Sequence, residues 1–186
     1  MGKKISILSF SARENGNCEH ISDFIAQYHN ASDATVYRIG GKIVPCSDCN
    51  YECLTPGLTC PQITHYLKHV IDACCNSEMI YYVVPNFCGY PCASYFAYAE
   101  RSIGYFSTDR AIMGNYRSIP KRFIIVSNTE NESFKQAMRQ QVTGEPEILY
   151  LKTSKYQKQS IAGDILDSTE AKDDLTDFLM RNILSE

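Results

Sequence analysis

Four cysteines, Cys46, Cys49, Cys53 and Cys60, stand in the segment PCSDCNYECLTPGLTC at the spacing C-x2-C-x3-C-x6-C. Thiolates are soft ligands and good nucleophiles, so a group this dense points to metal or redox chemistry. Four of them on one loop could wrap a [4Fe-4S] cluster, gaining more from a shared metal centre than from standing apart as surface thiols. Two other readings stay open. Cys46-x2-Cys49 with His65-x3-His69 has the spacing of a Cys2His2 zinc site, which would leave Cys53 and Cys60 unused. The four could also be free thiols or close a disulfide. Elsewhere Cys74 and Cys75 read as small core residues, because adjacent cysteines close only a strained ring.

A second chemical signal lies upstream. The strand-like KKISILS, ending at Ser9, runs into a polar loop that holds Ser11, Arg13, Asn15, Gly16, Asn17 and Cys18 before an amphipathic stretch. A loop between a strand and a helix N-terminus offers free N–H groups and the positive end of the helix dipole, which suits a phosphate. Two further loops carry similar chemistry. PNFCGYPC contributes Pro85, Asn86, Phe87, Cys88, Gly89 and Tyr90, and SNTENES contributes Ser127, Asn128 and Thr129.

The elements that must position these loops follow from hydrophobic period. Short apolar strands at Lys3 to Ser9, Ala34 to Arg38, Met79 to Val84, Arg122 to Ser127 and Ile148 to Leu151 alternate with helical patterns. Ile21, Phe24, Ile25 and Tyr28 share one helix face behind the capping-type Asn17. Further helices are predicted near Ile63 to Ala73, Cys92 to Phe106 and Ser133 to Val142. A last one starts at Asp167 and carries Ala171, Leu175, Phe178, Leu179 and Ile183. The segment Lys152 to Gly163 lacks a period and reads as a solvated loop. Strict alternation predicts an α/β fold: a flavodoxin-like doubly wound five-stranded parallel sheet, order 2-1-3-4-5, with helices on both faces. The three loops then open on one edge, beside the cysteine segment.

Composition bounds the rest. The chain has 186 residues and 44% hydrophobic content, which suits one domain with a cysteine-rich loop at about 45–61. A net charge of -3 without a basic, aromatic-interleaved stripe argues against nucleic acid. The longest apolar run, Met79 to Val84, is far short of the roughly 20 residues that span a bilayer, so no membrane partner is expected. No signal-peptide pattern opens the sequence, and a cytoplasmic location is expected, where nine cysteines do not make a disulfide framework.

On these residues the chain resembles the NADPH-dependent FMN reductase family of the flavodoxin-like superfamily, whose phosphate loop reads G-S-x-R-x-x-G-N-[ST]. Ser11, Arg13, Gly16 and Asn17 keep type and spacing, while Phe10 replaces the first glycine and Cys18 the last hydroxyl residue. Pro85, Asn86 and Phe87, then the pair Glu100-Arg101, follow in the family's order. The cysteine segment is similar to that of the iron-sulfur flavoprotein branch, C-x2-C-x2-C and a later fourth cysteine, with the second gap one residue longer here. The resemblance implies FMN bound by the Ser9–Cys18 loop, with Pro85 to Cys92 bordering the isoalloxazine ring and Ser127, Asn128 and Thr129 on its pyrimidine side. It also implies NAD(P)H as co-substrate, a quinone or flavin as small-molecule electron acceptor, and a homodimer or homotetramer. With a [4Fe-4S] cluster on Cys46, Cys49, Cys53 and Cys60, a ferredoxin-like protein would be the donor. A flavodoxin-type electron carrier and a zinc-stabilised non-enzymatic module are the alternatives.

Overall fold

A computed structural model describes residues 4–47, 49–55, 58–107 and 110–181. Lys3 and Ile183, expected in the first strand and last helix, lie outside the described residues. In chain order the elements are β1 (Ile5–Ser9), α1 (Asn17–Tyr28), β2 (Ala34–Arg38), α2 (His65–Cys75), β3 (Met79–Phe87), β4 (Tyr90–Pro91) and α3 (Ala93–Phe106). They are followed by α4 (Arg110–Ser118), β5 (Lys121–Ser127), α5 (Glu132–Arg139), β6 (Glu147–Lys152) and α6 (Thr169–Met180). The main sheet is parallel in the order β2-β1-β3-β5-β6. With the two-residue β4 set aside, this is the flavodoxin-like order expected.

Both faces of the sheet are covered, and the strand period divides the core. On β3, Tyr81 and Val83 pack with Ile21, Ile25, Leu175 and Phe178 of α1 and α6. Ile80, Tyr82 and Val84 point the other way, towards α2, α3, α4 and α5. Every residue of β5 is buried, as a central parallel strand requires. Arg122 belongs to that strand and is 1% exposed; its Nε donates to Glu147 at 2.9 Å and its Nη1 to the Leu179 carbonyl at 2.8 Å. These contacts tie the end of α6 to the sheet.

Helix boundaries follow their caps. Thr64 Oγ1 accepts from Leu67 N, so α2 starts at His65 rather than at Ile63. Ser168 Oγ accepts from Ala171 N, so α6 starts after Asp167, which sits in a short 3-10 turn. Two elements differ more. α4 is unanticipated; its sequence RAIMGNYRS is short and polar overall, with its few apolar residues on one face, and buried Tyr116 anchors it. β3 also runs three residues beyond Val84, because Phe87 and Tyr90 pair across a two-residue turn. Cys88 (φ 53°) and Gly89 (φ 87°) both take the positive φ that such a tight turn requires.

The segment 152–163 is a largely exposed loop, as expected, but it is anchored to the body of the fold. Thr153 and Tyr156 are buried, and the segment folds back over the start of α1. Asn17 Nδ2 donates to the Ser160 carbonyl at 3.2 Å, and His20 Nδ1 lies 2.8 Å from the Gly163 carbonyl oxygen. Its anchors are polar and distant in sequence, which no local period records. Among the described residues no helix is long and apolar enough to cross a membrane.

Candidate functional site

The loops after β1 and β3 meet at the carboxyl edge of the sheet, beside the switch in strand order where doubly wound folds bind ligands. Between them lies a cavity of about 430 Å³. Phe10, Ser11, Ala12 and Arg13 form one wall, Pro85 and Phe87 the other, and Cys92, Ala93 and Ser94 at the start of α3 close it. The slot is mostly apolar, with polar groups at one end, and its size falls within the usual range for small-molecule sites. Phe10 is 1% exposed and stacks on Tyr82 with ring centroids 5.7 Å apart, so this wall is rigid. Cys92 Sγ donates to the Phe10 carbonyl at 3.5 Å, and burial pushes its thiol up from the ordinary value.

A larger cleft, about 560 Å³, lies at the opposite edge against β1, β2 and α2. Two of its polar side chains are already engaged: Ser6 Oγ lies 2.8 Å from Ser77 Oγ, and Asp72 accepts from Tyr105. It faces the C-terminal turn of α2, where helix carbonyls disfavour an anion. The smaller cavity is therefore the better candidate for an anionic cofactor.

The β1–α1 loop has the form of an anion seat. Ser11 Oγ accepts from Arg13 N at 3.1 Å, which turns the chain, and Asn15 sits at φ 51°. Gly16 opens α1 with no side-chain cap, leaving first-turn N–H groups without intrahelical partners. The Arg13 stem lies over Gly16, with its Cγ and Cδ 3.5 Å from where a β-carbon would stand. Arg13 is exposed and makes no ion pair among the described residues. Glu19 reaches back instead: its carboxylate accepts from Asn15 N at 2.6 Å and from Arg38 Nε at 2.8 Å. The Asn15 hydrogen bond, ahead of Arg38, holds the Glu19 carboxyl below its ordinary value.

The other sequence-predicted residues are placed as follows. Ser9 is buried at the end of β1, where its carbonyl accepts from Ile39 N at 2.7 Å. The Asn17 side chain is buried beneath the 159–165 segment, and its Oδ1 accepts from Ile165 N at 2.9 Å. Cys18 is wholly in the core against Ile21, with its thiol pushed up by burial. Asn86 donates to Ser127 Oγ at 2.7 Å and accepts from Gly89 N at 2.8 Å, which closes the β3–β4 hairpin. Cys88 and Tyr90 are exposed on that hairpin. Thr129 N donates to Ser127 Oγ at 3.0 Å, and Asn128 Oδ1 accepts from Thr153 and Ser154. Thus Ser11, Arg13, Pro85 and Phe87 converge on the cavity, while Ser127, Asn128 and Thr129 brace the hairpin and the β6 loop.

The cysteines are not gathered into a ligand set. Among the described residues no group of three or more His, Cys, Asp or Glu is placed to hold a metal ion. Cys46 and Cys49, both free thiols, lie beside each other. Cys53, on a 3-10 turn (Glu52–Leu54), and Cys60 instead face Gly104 of α3. The reason is protein anchoring: Glu100 accepts from Cys46 N at 2.8 Å, and Arg101 donates to the carbonyls of Val44 at 2.9 Å and Pro45 at 2.8 Å. The Glu100-Arg101 pair thus holds the entry of the loop against α3. His65 and His69, the zinc alternative, are exposed on α2, with the His69 ring 5.9 Å from that of Tyr37.

Sequence reasoning passed over Phe10, Ala12, Ala93 and Ser94 as lining residues and reached Cys92 only as the end of the segment expected to border the ring. The signal available for Phe10 was its place, where the resembled loop has glycine.

No family model and no curated protein sequence matches the chain. Solved structures do. The Trp repressor binding protein from Bacillus subtilis superposes with a TM-score of 0.65 at 11% identity, over 97% of this chain and 100% of that one. An NADH:FMN oxidoreductase in its apo form gives 0.56 at 11%, over 98% and 91%. An oxidoreductase from Corynebacterium diphtheriae gives 0.53 at 11%, over 97% and 98%. At such identity the likeness defines the class of fold, an α/β protein of flavodoxin-like architecture.

Proposed function

We propose that the chain is an FMN-dependent oxidoreductase that passes electrons from NAD(P)H to a small acceptor such as a quinone or a free flavin. The observation that carries this reading is the 430 Å³ cavity, mostly apolar and walled on one side by Ser11, Ala12 and Arg13 of the loop that leads into the uncapped start of α1. A flat aromatic ring with a phosphate tail needs that pairing of an apolar slot with an N–H-rich end. The printed name of one structural neighbour, NADH:FMN oxidoreductase, agrees with it.

In this reading the N–H groups of the β1–α1 loop and the Arg13 guanidinium take the phosphate. Pro85 and Phe87 border the ring, with Phe10 and Cys92 beneath it. Bound FMN would supply a centre that accepts hydride from reduced nicotinamide and returns electrons to the acceptor. The chain's own task is to orient that centre and keep water away from it. Phe87 and Tyr90, 65% and 58% exposed, stand at the open side where a second planar molecule would lie. Glu19, neutralised by Arg38, keeps the Asn15 turn in shape without adding net charge beside the phosphate.

Titration of cofactor-free protein with FMN, followed by quenching of flavin fluorescence, tests the reading. Saturable one-to-one binding that inorganic phosphate weakens supports it. Binding of riboflavin as tight as that of FMN would remove the phosphate seat from it.

A further inference from the structure

Gly104 lies inside α3, where glycine is about 1 kcal/mol less favourable than alanine. Its surroundings explain it. A β-carbon at Gly104 would stand 3.2 Å from Cys60 Cβ, 3.5 Å from Cys60 Sγ and 3.6 Å from Cys53 Cβ. The two cysteines therefore converge on the one position of α3 that lacks a side chain. Cys53 is half-buried on its 3-10 turn, whereas Cys60 is buried. Arg101, one turn before Gly104, places Nη1 3.9 Å from Cys60 Sγ, while its other nitrogens are held by Val44, Pro45 and Gln62.

We infer that Cys53 and Cys60 form a reversible dithiol–disulfide pair seated on Gly104, and that the loop serves as a thiol redox site. The oxidant is hydrogen peroxide. Cys53, the more accessible sulfur, attacks a peroxide oxygen as its thiolate; the O–O bond breaks, a sulfenic acid forms and hydroxide leaves. Cys60 Sγ then attacks Cys53 Sγ, the S–S bond forms, and a second hydroxide leaves. Taking up the two thiol protons, the hydroxides become water. Two thiols are oxidised and one peroxide is reduced. The Arg101 guanidinium balances negative charge on Cys60 Sγ during the attack, as cations do beside reactive cysteines. Cys46 and Cys49 lie beside each other and Cys49 also neighbours Cys53, but only Cys53 and Cys60 meet at Gly104.

The full chain, reduced and desalted, is treated with limiting hydrogen peroxide, alkylated and mapped by mass spectrometry. Cys53 and Cys60 should escape alkylation together as one cross-linked peptide pair, and dithiothreitol should restore both. Cys53→Ser should leave Cys60 alkylatable. Gly104→Ala, which crowds the seat without removing a sulfur, should slow pairing roughly tenfold, because disulfide geometry is specific. Oxidation that ends in a Cys46–Cys49 bridge, or an unchanged rate in Gly104→Ala, would overturn the inference. So would protein made without oxygen that holds iron and shields both cysteines from alkylation.

Discussion

Gly163 crosses the β1–α1 loop so closely that a β-carbon on it would stand 2.4 Å from the Asn15 carbonyl oxygen. The two residues are far apart in sequence, yet Gly163 fixes the height of the loop proposed to take the phosphate. Gly163 also sits at φ +79°, where side chains are strained. Gly163→Ala should therefore lower stability by about 1–3 kcal/mol and weaken FMN binding as well. Gly144, whose missing β-carbon would meet nothing within 4 Å, supplies the control: Gly144→Ala should change neither urea midpoint nor affinity.

Arg13 makes no ion pair among the described residues, so its removal should leave the fold intact. Loss of a charge-assisted hydrogen bond to phosphate costs about 1.5–3 kcal/mol, so Arg13→Ala should bind FMN roughly tenfold or more weakly. Riboflavin binding should not change. Fluorescence titration of both ligands on both proteins reads the difference.

Glu19 gives the loop a pH dependence. The Asn15 N–H first, then Arg38, hold its carboxyl below the ordinary 4.5, against some desolvation. A carboxylate favoured by folding stabilises the protein above its unfolded value, and that contribution is lost as pH falls through the lower folded value. Glu19→Gln keeps an acceptor for Asn15 but not the charge. The gap in urea midpoint between wild type and Glu19→Gln should shrink from roughly pH 6 to roughly pH 3.

Between the helices and one face of the sheet, Tyr116 OH meets Tyr98 OH at 3.1 Å and Gln141 Oε1 at 3.3 Å, and also bonds to Tyr82 OH. Burial holds all three phenols well above their ordinary value, so they should ionise only as the protein unfolds in alkali. Tyr116→Phe leaves two buried hydroxyls short of a partner and should cost about 1–3 kcal/mol. Chemical denaturation measures it.

Much of the fold was legible because its signals are local. MIYYVV and FIIVS are near-continuous apolar runs of the kind that strands buried on both faces carry, and the alternation with helices made one order of strands the leading one. The β3–β4 hairpin was missed because its turn is Cys-Gly, not one of the commoner Asn-Gly or Asp-Gly pairs. That Ser11, Arg13 and Gly16 share one loop between β1 and α1 was legible, because they sit close together in sequence. The roles of Asn17 and of segment 152–163 were not, since the partners meet only after the chain has closed. The cysteine loop divides in the same way. Its spacing announces thiol chemistry, but Gly104, Glu100 and Arg101, which decide how the sulfurs pair, lie some fifty residues away.

The central claim, that the carboxyl-edge cavity holds a flavin at work, is tested most directly by mixing the FMN-loaded protein with NADH or NADPH in the absence of oxygen. The visible flavin band should bleach on addition of either nucleotide and return when a quinone is admitted, with both steps lost when Gly163→Ala displaces the loop. A flavin band that dithionite bleaches but neither nucleotide touches would contradict the reductase reading and leave the chain an electron carrier.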